Sequence, residues 1–84
     1  MVEGGIAAET ERVFQNLAAV LKAAAKSFDH VVRAGVYLTS MSDFVAMNDI
    51  YAKYFSQPFP ARTTIGVAAL PLGACVEIDL VVKV

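Results

Sequence analysis

The sequence has one cysteine, Cys75, one histidine, His30, and no tryptophan. A single cysteine excludes an internal disulfide. One Cys and one His cannot assemble a Cys/His metal site. The seven basic residues, Arg12, Lys22, Lys26, Arg33, Lys53, Arg62 and Lys83, are scattered, and the net charge is −1. Nucleic-acid binding rests on clustered Lys and Arg that neutralise phosphates, so this distribution argues against it. No run approaches 18 apolar residues, so no membrane span is expected. No basic-then-apolar leader is visible, and no internal repeat, linker or low-complexity tract stands out. A reducing, cytoplasmic compartment is the expectation.

What the chain has in plenty is apolar side chains. They make up 57% of 84 residues, and the mean hydropathy is +0.57. The length allows a single domain or part of one. A domain this small buries only about 60–65% of its unfolded surface. The apolar content exceeds what such an interior holds, and a symmetric homo-oligomer is the default remedy.

The order of patterns is helix, strand, helix, strand, strand, an α+β chain. Residues 7–26 place Val13, Phe14, Leu17, Val20, Leu21 and Ala24 on one helical face. Glu9, Glu11, Arg12, Gln15, Asn16 and Lys22 lie mostly off it. Glu9 and Glu11 in a first turn and Lys26 in a last turn suit the helix dipole. Residues 30–39 read as a strand. Ser42 is a candidate N-cap for a second helix, which carries Phe44, Met47, Tyr51, Tyr54 and Phe55 and ends at "SQPFP", because proline disfavours helix in the residue before it. Residues 61–69 and 75–83 read as two further strands. The short "LPLG" between them predicts an antiparallel hairpin.

Pairing Ala69 with Ala74 across that turn would set Thr64 opposite Asp79 and Gly66 opposite Glu77. Thr63, Ile65 and Val67, with Val76, Ile78, Leu80 and Val82, would then face the helices. Arg62, Thr64, Gly66 and Ala68 would share the other face with Cys75, Glu77 and Asp79. Arg62 and Glu77 would sit about 13 Å apart at about 3.4 Å per residue, too far for an ion pair within one chain.

The charges on these strands invite two readings each. Arg62 is a solvated strand-end arginine, or a clamp whose planar guanidinium grips a carboxylate. The small residues beside it, Thr64, Gly66 and Ala68, leave room for a ligand. Glu77 is a solvent-facing glutamate, or a base that orients water. Asn48 is an exposed helical residue, or a pocket group. The aromatic set Phe44, Tyr51, Tyr54 and Phe55 reads as core or interface. His30 reads as structural, and Cys75 lacks the histidine a nucleophile would need.

The stretches "EGGIAAETERVFQNLAAVLKAA", "VRAGVYLTSMSDFVAMNDIY" and "NDIYAKYF…FPARTTIGVAALPLGACVEIDLVV" closely resemble the RidA family of reactive imine/enamine deaminases. The resemblance covers essentially the whole chain, and "FPAR" followed by "LP…EI" is its most specific part. It implies a chorismate-mutase-like fold with helices on one face of a mixed sheet, and a homotrimer with sites between subunits. It implies hydrolysis of 2-imino or 2-enamino acids to 2-keto acids and ammonia, without metal or organic cofactor. By position, Arg62 matches the arginine that grips the substrate carboxylate, Glu77 the glutamate linked to the hydrolytic water, and Asn48 a pocket asparagine. Thr64 stands where many members carry a cysteine. Family members also carry an N-terminal "GPYSQ"-like segment and an "SGQ"-like strand that do not occur here. The chain therefore reads as truncated, and a non-catalytic carboxylate-binding or interaction protein is the alternative.

Overall fold

The structure is a computed structural model and describes residues 5–84. Residues 1–4, including the Glu3 and Gly4 that open the first matched stretch, lie outside the described residues. Two α-helices pack on one face of a three-stranded mixed sheet. The elements are α1 (Gly5–Ala23), β1 (Val31–Leu38), α2 (Phe44–Tyr54), β2 (Ala61–Gly66) and β3 (Val76–Val82), joined in part by 3₁₀ turns.

α1 buries Glu9, Thr10, Phe14 and Leu21, with Ile6, Val13 and Leu17 packed against the core. These positions recur every three or four residues, as one helical face must. Two expectations for this helix change. It begins at Gly5, so no acid lies in its first turn, and the basic residue of its last turn is Lys22. Val20 is 67% exposed although it belongs to the expected apolar face. Val20 lines an open groove with Leu21, Ala24, Val82, Lys83 and Val84.

The end of α1 is a Schellman motif. The Lys26 amide donates to the Leu21 carbonyl at 2.8 Å and the Ala25 amide to Lys22 at 3.0 Å. Ala25 occupies the left-handed position at φ 58°, where glycine is usual. A capping box follows. Ser27 Oγ accepts from the Asp29 amide, and His30 Nδ1 accepts from the Ser27 amide. His30 thus holds a structural place.

The sheet order is β2-β1-β3. β1 runs parallel to β2, with Ala34 opposite Arg62 and Val36 opposite Thr64. It runs antiparallel to β3, with Tyr37 opposite Glu77 and Gly35 opposite Asp79. The expected β2–β3 hairpin does not form. β2 ends at Gly66 rather than at residue 69, so the connection covers residues 67–75. That length carries the chain past the end of β1, where Val67 donates to the Leu38 carbonyl and Thr39 donates to Cys75. The chain between β1 and β2 contains α2, the helical crossover that parallel neighbours require.

The new topology also reassigns faces. Ala34, Val36 and Leu38 of β1 are fully buried under the helices. Their partners, Arg62 and Thr64 on one side and Leu80, Ile78 and Val76 on the other, share that face. Thr63 and Ile65 point to the open face instead, and Ile65 is 44% exposed. The expectation for Val76, Ile78, Leu80 and Val82 holds, and that for Thr63 and Ile65 is reversed.

Between helices and sheet lies an aromatic cluster. Phe14 stacks on Tyr54 with centroids 4.5 Å apart and planes at 8°, and meets Tyr51 and Phe55 edge-on. Above it, Glu11 of α1 accepts hydrogen bonds from Tyr54 and, at 3.0 Å, from Lys53 of α2. The Tyr54 bond, and secondarily the Lys53 bond, hold the Glu11 carboxyl below its ordinary range. The same bond, chiefly, raises the Tyr54 hydroxyl to about 12.

Candidate functional site

Helix α2 opens with Asp43 at its N-cap, without a side-chain cap bond, and Ser42 lies inside the preceding 3₁₀ turn (Met41–Asp43). The Ser42 hydroxyl pairs with Ser40 at 2.6 Å, so it is not the cap expected from sequence. This start sets the phase of the helix. Phe44, Asn48 and Tyr51, at offsets 0, 4 and 7, come to one side, and that side meets the first residues of β2.

Arg62 lies there. Its Nη1 donates to Asn48 Oδ1 at 2.6 Å. Its guanidinium carbon stands 4.7 Å from the centre of the Tyr51 ring and 5.5 Å from that of Phe44. Both distances are within cation–π range. A long, mobile side chain is thereby fixed from two sides. Its remaining N–H donors stay available at the mouth of a cavity of about 330 Å³, lined by Asn48, Tyr51, Ala52, Phe59, Pro60 and Arg62. The Tyr51 hydroxyl is buried and finds no hydrogen-bond partner among the described residues. Burial raises its pKa, and the nearby Arg62 charge offsets part of that rise.

Thr64 follows Arg62 on the same strand face and is half-buried, with no partner for its hydroxyl among the described residues. It lies outside the cavity lining. Glu77 is placed differently from the sequence expectation. It is exposed on the open face, opposite Tyr37, whereas Arg62 is on the helix face. The two form no ion pair, but the reason is the sheet between them rather than distance along one face. Around Glu77 the open face carries a polar row. Tyr37 donates to Asp79 Oδ2 at 3.0 Å, and Arg33 Nη2 donates to Thr63 Oγ1 at 3.0 Å. The Asp79 bond is the main cause that raises the Tyr37 pKa.

Gly35 leaves room beneath this row for the ends of the Asp79 and Tyr37 side chains. A β-carbon there would stand 2.4 Å from Asp79 Oδ1 and 2.9 Å from the Tyr37 hydroxyl. No group of three or more His, Cys, Asp or Glu is placed to hold a metal among the described residues. No described helix is long and apolar enough to cross a membrane.

The structure thus brings Arg62 and Asn48 together, sets Thr64 just inside them and puts Glu77 across the sheet. Sequence reading did not single out the aromatic seat of Arg62 or the Phe59–Pro60 wall. The Phe44, Asn48, Tyr51 spacing carried the first signal. The second had none, since "FP" read only as a helix stop.

The family model described as Endoribonuclease L-PSP matches residues 1–84. The chain is 48% identical over 81 residues to Protein DfrA of Myxococcus xanthus, covering 96% of this chain and 62% of that one. It is 43% identical over 81 residues to the human 2-iminobutanoate/2-iminopropanoate deaminase, covering 96% of this chain and 59% of the relative. Among solved structures, RidA from an Antarctic Psychrobacter superposes with a TM-score of 0.94 at 39% identity, over 100% of this chain and 68% of that one. The chain therefore spans about three fifths of the length of these curated relatives.

Proposed function

The chain belongs to the Endoribonuclease L-PSP family, the family of the RidA proteins, and from this premise we propose that it hydrolyses reactive 2-imino and 2-enamino acids to 2-keto acids and ammonia. The observation that carries the reading is Arg62, braced by Asn48 and two aromatic faces at the mouth of a cavity of small-molecule size. A fixed guanidinium fork at an apolar opening suits the carboxylate of a short substrate. The deaminase name of the human relative fits that substrate class.

In this proposal Arg62 holds the carboxylate and Asn48 holds Arg62. An enamine takes a proton at its terminal carbon, gives one up from nitrogen and becomes the imine. Water, oriented by Glu77, adds to the imine carbon with one of its protons passing to nitrogen. The hydroxyl then gives its proton to the amine as the C–N bond breaks, releasing ammonia and leaving the keto acid. The substrates hydrolyse slowly unaided, so orientation of carboxylate and water is the required contribution. Thr64 supports the wall behind Arg62. No cofactor enters the reaction.

Because Arg62 and Glu77 occupy opposite faces of one sheet, we place the working site between copies, in a homotrimer of cytoplasmic chains. The test is keto-acid release on adding the chain to a threonine dehydratase reaction. Wild type is expected to accelerate release. Arg62→Ala, which loses charge-assisted bonds of about 1.5–3 kcal/mol, is expected to lower kcat/KM by about 10- to 100-fold. No acceleration by wild type, or equal acceleration by the variant, would overturn the proposal.

A further inference from the structure

We propose that Glu9 is a positioning residue for Glu77. The inference rests on the reading of Glu77 as the water-orienting group. Glu9 is the one charged side chain that is buried among the described residues, at 6% exposure. Its place is explained by two bonds. One oxygen, Oε2, accepts from the Cys75 amide at 2.6 Å and from the Val76 amide at 3.0 Å. A carboxylate this buried is tolerated only when its bonds are made, and these two are of the stronger, charge-assisted kind.

The bonded amides belong to the residues immediately before Glu77. They stand at the end of a connection, residues 67–75, whose one regular element is the 3₁₀ turn Pro71–Gly73. Leu72 and Gly73 both take left-handed backbone angles, φ 59° and 69°. The Cys75 carbonyl, on the other side of the same residue, accepts from Thr39 at 3.2 Å. Cys75 is thus gripped from both sides as the chain enters β3.

The phase of that entry decides where Glu77 points. Side chains alternate along a strand, and a one-residue slip exchanges its two faces. In register, Val76 and Ile78 enter the core and Glu77 stands on the open face opposite Tyr37. A slip would press Glu77 toward the core. Glu9 therefore sets the geometry of the hydrolytic half of the site from the far side of the sheet, while the carboxylate half around Arg62 stands on α2 and β2.

The test compares Glu9→Gln, which keeps an acceptor oxygen, with Glu9→Leu, which removes it. Glu9→Asp keeps the charge on a shorter arm and serves if the leucine variant does not fold. Misplacement of a reacting group by 1 Å can cost about 100-fold, so Glu9→Leu or Glu9→Asp is expected to lower kcat at least about 10-fold. Calorimetric affinity for 2-oxobutanoate should stay within about twofold. Amide exchange at Cys75, Val76 and Glu77 should accelerate about 10-fold or more, with the β1 amides still protected. Glu9→Gln should recover both properties to within about threefold. Unchanged kcat with unchanged exchange in the leucine or aspartate variant would overturn the inference, as would equal loss of 2-oxobutanoate affinity. Absence of activity in the wild type would overturn the proposed function and the catalytic half of this inference. The exchange measurement would still decide whether Glu9 fixes the entry of β3.

Discussion

Arg62 owes its orientation to three side chains of a single helix, and each makes a separable contribution. The Tyr51 ring supplies a face for the guanidinium, whereas its buried hydroxyl finds no partner among the described residues. Removing an unpaired buried hydroxyl relieves a desolvation cost. Tyr51→Phe is therefore expected to unfold at equal or higher denaturant concentration, by up to about 1 kcal/mol, with 2-oxobutanoate binding unchanged. Tyr51→Leu removes the cation–π contact and should weaken that binding by about 0.5–2 kcal/mol. Equal binding by both variants would show that the ring does not serve Arg62. At this scale the sequence was legible only in part. Charge and spacing left Arg62, Asn48 and Glu77 open, because an isolated charge on a strand is ambiguous without its neighbours. Their candidacy came from the family resemblance, Arg62 and Glu77 through "FPAR" and "LP…EI" and Asn48 through "NDIYAKYF". Glu9 was read as part of a polar helix face, since its partners are backbone amides 66 and 67 residues away, which no side-chain pattern records.

The elements show where local signals suffice and where they do not. Both helices and all three strands stand close to where periodicity placed them. The hairpin fails because the end of β2 lies three residues earlier than its apolar run suggests, and "VAA" of residues 67–69 reads equally well as strand or connection. The ends of α1 and α2 lead to two measurements. Ala25 sits at the left-handed cap position at φ 58°, which costs a non-glycine residue about 1 kcal/mol. Ala25→Gly should raise stability by about 0.5–1 kcal/mol in denaturant unfolding, and a loss would show that the cap is not strained. The α1–α2 clamp should appear in the pH dependence. The Tyr54 hydroxyl, near 10 when unfolded, is raised to about 12 by Glu11. The folded chain thus holds this proton more tightly. Its contribution is full below pH 10 and disappears as pH rises toward 12. The stability difference between wild type and Tyr54→Phe should shrink over that window, and a constant difference would contradict the clamp.

For the whole molecule the decisive feature is the open face of the sheet. It leaves β2 and β3 as edges and exposes Ile65 and Val81 at 44% and 52% beside Arg33, Glu77 and Asp79. On the proposed function, one chain therefore holds the carboxylate-binding half, Arg62, on one side and the hydrolytic half, Glu77, on the other. These halves are proposed to meet between copies, and subunit mixing tests that most directly. Arg62→Ala and Glu77→Gln chains are each expected to retain less than about a tenth of wild-type keto-acid release, the loss set by missing charge-assisted bonds. Co-refolded together, they should regain activity well above either alone, since some sites then combine an intact Arg62 with an intact Glu77 from another chain. A mixture no more active than its components would contradict the account.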